Sequence, residues 1–142
     1  MVDTRFAVSV HILTALACSK DCLLTSPTLA KSIRTSPVVV RRLVSKLVEN
    51  GLVESFRGKS GGLKLSRRPE QISLRDVYLA ATDGPLLAVT NKPAQKECAV
   101  SCSMGKILGE VVDGLEAASL DYLGKIKLSD LAKKVKSASG AA

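Results

Sequence analysis

The basic residues of this chain are concentrated in one short stretch. Ten of its 21 lysines and arginines lie within residues 31–68, where only two acidic residues oppose them, so the stretch carries a net charge of +8. The rest of the chain holds eleven basic and eleven acidic residues and is neutral. Clustered cations with so little acidic compensation are suited to binding a polyanion.

Four cysteines form the second group that could do chemistry. They make two pairs, Cys18 with Cys22 and Cys98 with Cys102, and three residues separate the members of each pair. The chain has no nucleophile–base pair and no paired carboxylates at diagnostic spacing, and its one histidine, His11, is assigned no role. We therefore expect no catalytic residues and no enzyme.

Length and composition limit the architecture that positions these groups. A chain of 142 residues is ordinarily one domain, and 46% hydrophobic with 3% aromatic residues predicts an aliphatic, largely helical core. No apolar run approaches the ~20 residues that span a bilayer. The N-terminal stretch is interrupted by charged residues, unlike a signal peptide. We expect a cytoplasmic protein, whose cysteines are more often thiols, ligands or redox groups than disulfides.

Two closely spaced helix starts precede a change of hydrophobic period. Ser26-Pro27 and Ser36-Pro37 each combine a capping residue with a proline that is tolerated at the first helical position. Gly51 ends the second helix, so the two helices predict a helix-turn-helix. The following segment, 52–66, reads as two strands around the glycine-rich turn 57–62.

The remaining elements are helical. A capping box at Ser73 opens a helix, and a long helix (about 103–123) and a short one (about 128–135) follow. We predict a mainly α fold with a small β-hairpin, of the α+β class. The predicted organisation is a winged helix-turn-helix DNA-binding domain at 1–83, a cysteine-containing loop at 84–102, a dimerisation helix and C-terminal helix at 103–136, and a disordered tail at 137–142.

The second helix of the pair separates an apolar face from a basic one. The apolar stripe would pack against the first helix, and the basic face could enter a major groove about 12 Å wide. A thin cationic hairpin tip suits a narrow minor groove. Such a helix and such a turn are each common without a nucleic-acid ligand, but their succession favours DNA binding. The residues predicted to contact DNA here are Val38, Arg41, Arg42, Ser45, Lys46, Arg57, Gly58 and Lys59.

Three segments resemble the Rrf-two family of winged-helix transcriptional regulators. They are LxxxGLV from Leu47, RGKSGGLKLSR from Arg57 and EQISLRDVY from Glu70, and the resemblance extends over nearly the whole chain. It implies a homodimeric DNA-binding regulator, usually a repressor. By position it places Ser36, Val38, Arg41 and Arg42 at the recognition-helix start, Arg57 and Gly58 at the wing tip, and Thr28 at a phosphate contact.

The long helix carries an apolar seam with heptad spacing over nearly three heptads. Such a seam could pack within its own domain, but the remaining elements already form a core, so a partner chain is expected. Two-fold symmetry would then require a pseudo-palindromic operator. The predicted dimer-interface residues are Met104, Leu108, Val111, Leu115, Ala118 and Tyr122.

The resemblance also bears on cofactors. Family members with an iron–sulfur cluster use three cysteines before the long helix, whereas this chain has only two, too closely spaced to match. The chain is similar to the cluster-free members, and we expect no cofactor and no metal. Three interpretations of the cysteines stay open: small packing residues, a thiol redox switch at Cys98 and Cys102, or a four-thiolate zinc or cluster site that joins both pairs. Four-thiolate sites usually have the spacing C-x-x-C, whereas both pairs here are C-x-x-x-C.

The sequence therefore predicts a sequence-specific DNA-binding transcriptional regulator that acts as a homodimeric repressor. One alternative is a thiol-redox or metal-responsive sensor using Cys98 and Cys102, and a small-molecule signal is also compatible. The other alternative is a protein-interaction module with weak, non-specific DNA binding.

Overall fold

A computed structural model describes residues 3–90 and 92–140. Within those ranges the chain forms six α-helices, one short 3-10 helix and a two-stranded antiparallel sheet, which confirms the predicted α+β class. The described residues divide into two compact units: the described parts of 1–82 with 123–142, and 83–122. No helix among the described residues is both long and apolar enough to cross a membrane.

The first unit is built around its N-terminal helix. The helices of this unit are α1 (Arg5–Cys18), α2 (Ser26–Ile33), α3 (Pro37–Glu49), α4 (Leu74–Ala81) and α6 (Leu128–Ala138), with a 3-10 turn at Pro69–Gln71. Helix α1 packs against the other four. Its Ile12 and Leu13 are fully buried, as are Leu47 of α3 and Val77 of α4. Aliphatic side chains thus form the core, as the composition predicts.

The caps of α2 and α3 fix the helix-turn-helix. Thr25, rather than the predicted Ser26, caps α2: its Oγ1 accepts a hydrogen bond from the Thr28 amide at 3.3 Å, and Ser26 is the first helical residue. Ser36 caps α3 as predicted and accepts from the Val39 amide at 3.3 Å. The turn between them includes Arg34, whose φ of 66° lies in the left-handed region.

Gly51 ends α3 in a Schellman motif. Its φ of 72° lies in the left-handed region, which glycine adopts without steric cost, and its amide donates to the Val48 carbonyl at 3.0 Å. The Leu52 amide donates to the Leu47 carbonyl at 2.9 Å, which completes the motif. These bonds turn the chain sharply from α3 into the hairpin.

The hairpin consists of β1 (Val53–Phe56) and β2 (Gly62–Leu65), as predicted. The strands pair antiparallel, with Val53 opposite Leu65 and Phe56 opposite Gly62. Leu24, just before α2, adds a bridge: its amide and carbonyl exchange hydrogen bonds with Leu63 at 3.1 and 2.7 Å. The wing is therefore tied by backbone hydrogen bonds to the chain that leads into the helix-turn-helix.

The C-terminal helix belongs to the first unit. Leu128 and Ala132 of α6 are buried, and the Leu128 amide donates to the Ile72 carbonyl at 2.8 Å. The sequence grouped this helix with the long helix, whereas in the structure it packs against α1. Its helical residues continue to Ala138, so the predicted disordered tail at 137 begins too early; residues 141–142 lie outside the described residues.

The second unit contains most of the long helix α5 (Ala99–Gly124). This helix begins four residues before the predicted start at 103, because Cys98 caps it. The Ser101 amide donates to the Cys98 Sγ at 3.4 Å. Cys102 therefore lies in the helix and not in the predicted loop.

Candidate nucleic-acid interface

Helix α3 presents a cationic face to solvent. Val40 and Leu47 are fully buried, Leu43 and Val44 nearly so, and these four anchor the helix in the core. On the other face Arg41, Arg42 and Ser45 are exposed, and Lys46 is half-buried. Val38 is 59% exposed although it is apolar. The helix thus offers two guanidinium groups and two exposed valines, Val38 and the less exposed Val39, in its N-terminal half.

The wing tip is fully exposed. Arg57, Gly58 and Lys59 all lie on the surface between β1 and β2. Gly58 has a φ of 102°, and a Cβ at the neighbouring Gly61 would meet the Phe56 carbonyl oxygen. Only glycine lets the chain turn this tightly. The two glycines therefore give the tip its narrow shape and leave its basic side chains clear of the domain.

A groove joins the wing to the helix-turn-helix. Its volume is about 250 Å³. Arg41 lines it on one side and Gly58 on another, and the N-terminal end of α2 contributes Thr25 and Ser26. Thr28 lies on the same exposed end, with its Oγ1 2.9 Å from the Thr25 Oγ1. The partial positive charge at the N-terminus of α2 favours an anion such as phosphate there.

Four cations of this surface have no counter-charge among the described residues. Within the described ranges, no carboxylate lies within ion-pair distance of Arg41, Arg42, Arg57 or Lys59. The carboxylate of Glu54 faces Lys64 instead, at 3.8 Å on the outer side of the hairpin. These four side chains are therefore available to an external partner.

A second cationic cavity lies between the start of α1 and α3. It measures about 200 Å³, and Arg5, Arg42 and Lys46 are among its lining residues. Hydrogen bonds from Arg5, at 2.7–3.1 Å, lower the pKa of the Asp3 carboxyl to about 2. The Asp3 carboxylate is thus an anionic group that already lies beside Lys46. Of the predicted DNA-binding residues on α3, Lys46 is the half-buried one, and the others are exposed.

Sequence reasoning missed several residues around these two grooves, among them Thr25, Ser26 and Arg5. Thr25 and Ser26 come into the wing groove because the bridge at Leu24 brings the α2 start to the hairpin. Arg5 reaches α3 through the packing of α1. The threonine before Ser26-Pro27 is a capping signal that could have identified Thr25, but no local pattern indicates Arg5.

In the second unit, α5 leaves its predicted seam open. All of Ala99–Gly124 is described, and no residue of this helix is buried. Val111 is 60% exposed and Tyr122 66%, while Leu108 and Leu115 are about 40% exposed. Met104 is half-buried and Ala118 exposed. A helix of about 39 Å with such a seam has an apolar face that the described residues of its own unit do not cover.

The two C-terminal cysteines shape the start of α5. Besides the Cys98 cap, the Cys102 Sγ donates to the carbonyls of Gln95 and Lys96 at 3.6 and 3.7 Å. Both residues are exposed free thiols. Cys18 is half-buried at the end of α1 and Cys22 is exposed in the following turn. Packing therefore accounts for Cys18 more readily than for the other three.

Comparison with known proteins gives consistent matches. A family model named Rrf2 and described as "Iron-dependent Transcriptional regulator" matches residues 2–134. The "Putative HTH-type transcriptional regulator YwnA" of Bacillus subtilis is 31% identical over 131 residues, which are 92% of this chain and 96% of that protein.

Solved structures share the fold. A "putative transcriptional regulator" from Lactobacillus plantarum superimposes with a TM-score of 0.81 at 21% identity, over 94% of this chain and 90% of that one. The structure of T. potens IscR gives a TM-score of 0.71 at 22% identity, over 97% and 90% of the two chains. The predicted winged-helix fold is confirmed.

The family description names iron, and the residues present do not fit a metal centre in one protomer. Across residues 3–90 and 92–140, no group of three or more His, Cys, Asp or Glu side chains is arranged to hold a metal ion. The sulfur atoms of Cys98 and Cys102 contact backbone groups of their own segment. Two thiolates fall short of the four ligands that a structural zinc or cluster site requires.

The exposed basic helix, the wing and the family match over residues 2–134 lead to one conclusion. This chain belongs to the Rrf2 (Rrf-two) family of DNA-binding transcriptional regulators.

Proposed function

We propose that the protein is a homodimeric repressor that acts in the cytoplasm and binds a pseudo-palindromic operator. Helix α3 enters the major groove and the wing enters the adjacent minor groove. The observation that carries the proposal is the pairing of two exposed cationic elements, α3 and the wing tip, across a groove that the N-terminus of α2 also lines. The protein acts by binding, and we assign no catalytic role.

The side chains divide into readers of sequence and anchors on phosphate. Arginine can make bidentate contacts to guanine, worth about 1–3 kcal/mol each in discrimination, so Arg41 and Arg42 would read guanine and Val38 would contact a thymine methyl. In this arrangement the backbone phosphates would be contacted by Ser36, Ser45, Lys46 and Thr28. Arg57, Gly58 and Lys59 form the minor-groove contact.

The dimer follows from α5. Its uncovered seam, from Met104 to Tyr122, would be buried against the same helix of a second copy. A two-fold dimer places two recognition helices on one face of the duplex, at half-sites separated by one helical turn or a multiple of it. This division of labour supports a DNA-binding unit formed by 1–83 together with α6, and a dimerisation unit formed by α5.

Selection of genomic fragments by the purified full-length protein tests the proposal. We expect the selected fragments to share a pseudo-palindromic sequence to which two chains bind. Arg41→Ala should then relax the preference at one base pair per half-site by about 1–3 kcal/mol, while Arg57→Ala weakens binding. Arg75→Ala, an exposed arginine on α4, is the matched control and should change little.

Two outcomes would contradict it. Equal loss on every DNA sequence for Arg41→Ala would show a phosphate contact only. Recovery of fragments without a shared sequence would instead favour the alternative of an interaction module with weak, non-specific DNA binding.

A thiol signal is the second candidate function, and the contacts of Cys98 and Cys102 favour it. Oxidation of both thiols by a peroxide to one disulfide gives up two protons and two electrons, and it removes the S–H donor of Cys102. The cap of α5 at Cys98 would change with it. The test is to count the free thiols and to measure the affinity for the operator, each before and after treatment with hydrogen peroxide. Unchanged affinity after complete oxidation would remove the candidate.

A further inference from the structure

A predominantly apolar cavity lies between α1, α2 and α6, and none of its described lining residues belongs to the proposed DNA-binding surface. Its volume is about 490 Å³, within the range of small-molecule pockets. Val10 and Ala15 of α1 and Leu131 and Val135 of α6 form apolar walls. All its lining residues belong to the first unit.

Polar groups converge at the rim of this cavity. The Nε2 of His11 lies 3.0 Å from the Oγ of Ser32, so a hydrogen bond links α1 to α2 there. Lys134 of α6 also lines the cavity, and no described carboxylate pairs with its ammonium group. The Thr14 hydroxyl is already used, since it donates to the Val10 carbonyl at 2.7 Å.

The charge of the rim selects the class of ligand. Among the described residues, no Asp or Glu lines the cavity, and its one charged side chain is the cation of Lys134. A small anion with an apolar body would place its charge beside Lys134 and the His11–Ser32 pair and its body against the aliphatic walls. A cation of the same shape would be repelled by the ammonium group of Lys134. A fully polar anion would place polar groups against the aliphatic walls, where they would find no hydrogen-bond partner.

We propose that this cavity binds a small aliphatic or aromatic carboxylate as the effector of the regulator. This rests on the proposed function for its biological meaning but not for the binding itself. Ser32 precedes Ser36, the cap of α3, by four residues, while α6 is held by the buried Leu128. A carboxylate held between Lys134 and the His11–Ser32 pair therefore connects α6 to the helix-turn-helix. If the carboxylate binds the free and the DNA-bound protein with different affinities, it changes the affinity of the protein for the operator. By linkage, DNA changes the affinity of the protein for the carboxylate by the same factor.

The probe for the site is octanoate, titrated calorimetrically into the full chain without DNA. Octylamine is the control ligand with the opposite charge. Lys134→Met should weaken octanoate binding about threefold to tenfold, as expected for loss of an exposed charged partner. Lys133→Met is the matched control, because Lys133 is adjacent on α6 but does not line the cavity, and it should leave binding unchanged.

A cavity-filling change tests the location independently. Ala15→Phe should abolish octanoate binding while sedimentation shows the same oligomeric state. Equal binding of octanoate and octylamine would overturn the proposal, as would an unchanged affinity in Lys134→Met. A change of oligomeric state in Ala15→Phe would also overturn it, since the cavity would then be an interface with a second copy.

The effector role has its own readout. Octanoate at saturation should change the affinity for the selected operator in the wild type and in Lys133→Met, and much less in Lys134→Met. Octanoate binding without any effect on operator affinity would overturn the effector role. Failure of the proposed function is distinguishable, because then no operator is selected although the octanoate titration still reports on the cavity.

Discussion

Val111 offers the sharpest test of the dimer seam. In the protomer its side chain is 60% exposed, on the face of α5 that we propose is buried in the dimer. Replacing valine with alanine removes two methyl-sized groups, each worth about 0.8 kcal/mol when buried. Scaling by the exposed fraction leaves about 1 kcal/mol per chain. A symmetric dimer contains the substitution twice, so Val111→Ala should cost about 2 kcal/mol and raise the dimer Kd about 30-fold.

Val112→Ala is the matched control for this prediction. It removes the same atoms from the adjacent position, which is outside the seam, and it raises helix propensity by the same amount. Its dimer Kd should stay within about twofold of the wild type. Circular dichroism should show undiminished helix content in both variants, so that any difference reports on association.

Sedimentation equilibrium over a dilution series, with a fluorescent label for the lowest concentrations, measures both constants. An unchanged Kd in Val111→Ala would refute burial of the seam. A larger effect of Val112→Ala than of Val111→Ala would show that a different face of α5 associates.

Three further predictions concern the first unit. Ser9→Ala should raise the free energy of unfolding by about 1 kcal/mol in denaturant titration, because the buried Ser9 hydroxyl has no hydrogen-bond partner among the described residues and alanine favours the helix. A loss of stability would contradict this. Gly61→Ala should weaken operator binding with little change in the thermal midpoint, because its Cβ would meet the Phe56 carbonyl and distort only the wing; intact binding would show that the wing's shape is unimportant. Because Arg5 lowers the pKa of Asp3 from 3.8 to about 2, the carboxylate adds stability that is present above pH 4 and is lost as the pH falls towards 2, so the midpoint of Asp3→Asn should vary less with pH across that window.

Local signals predicted most of the first unit. Ser36 and Gly51 act through hydrogen bonds to residues no more than five positions away, so their roles can be read from neighbouring residues. The face of α3 that carries Arg41 was also predictable, since helical periodicity alone separates it from the buried Val40 and Leu47.

Tertiary packing decided the remainder. The cavity joins Val10 to Val135, and no pattern within either helix indicates that α1 and α6 pack together. Arg5 approaches Lys46 for the same reason. The start of α5 was misplaced because a cysteine, which is not among the usual capping residues, caps that helix.

Titration of the protein against its selected duplex and a shuffled duplex of the same composition tests the central claim most directly. The account predicts two chains per duplex and a preference of at least about 10³-fold for the selected sequence at physiological salt. This preference should shrink in Arg41→Ala, and binding should weaken in Arg57→Ala but not in Arg75→Ala. Equal affinity for both duplexes, or full preference retained in Arg41→Ala, would contradict it.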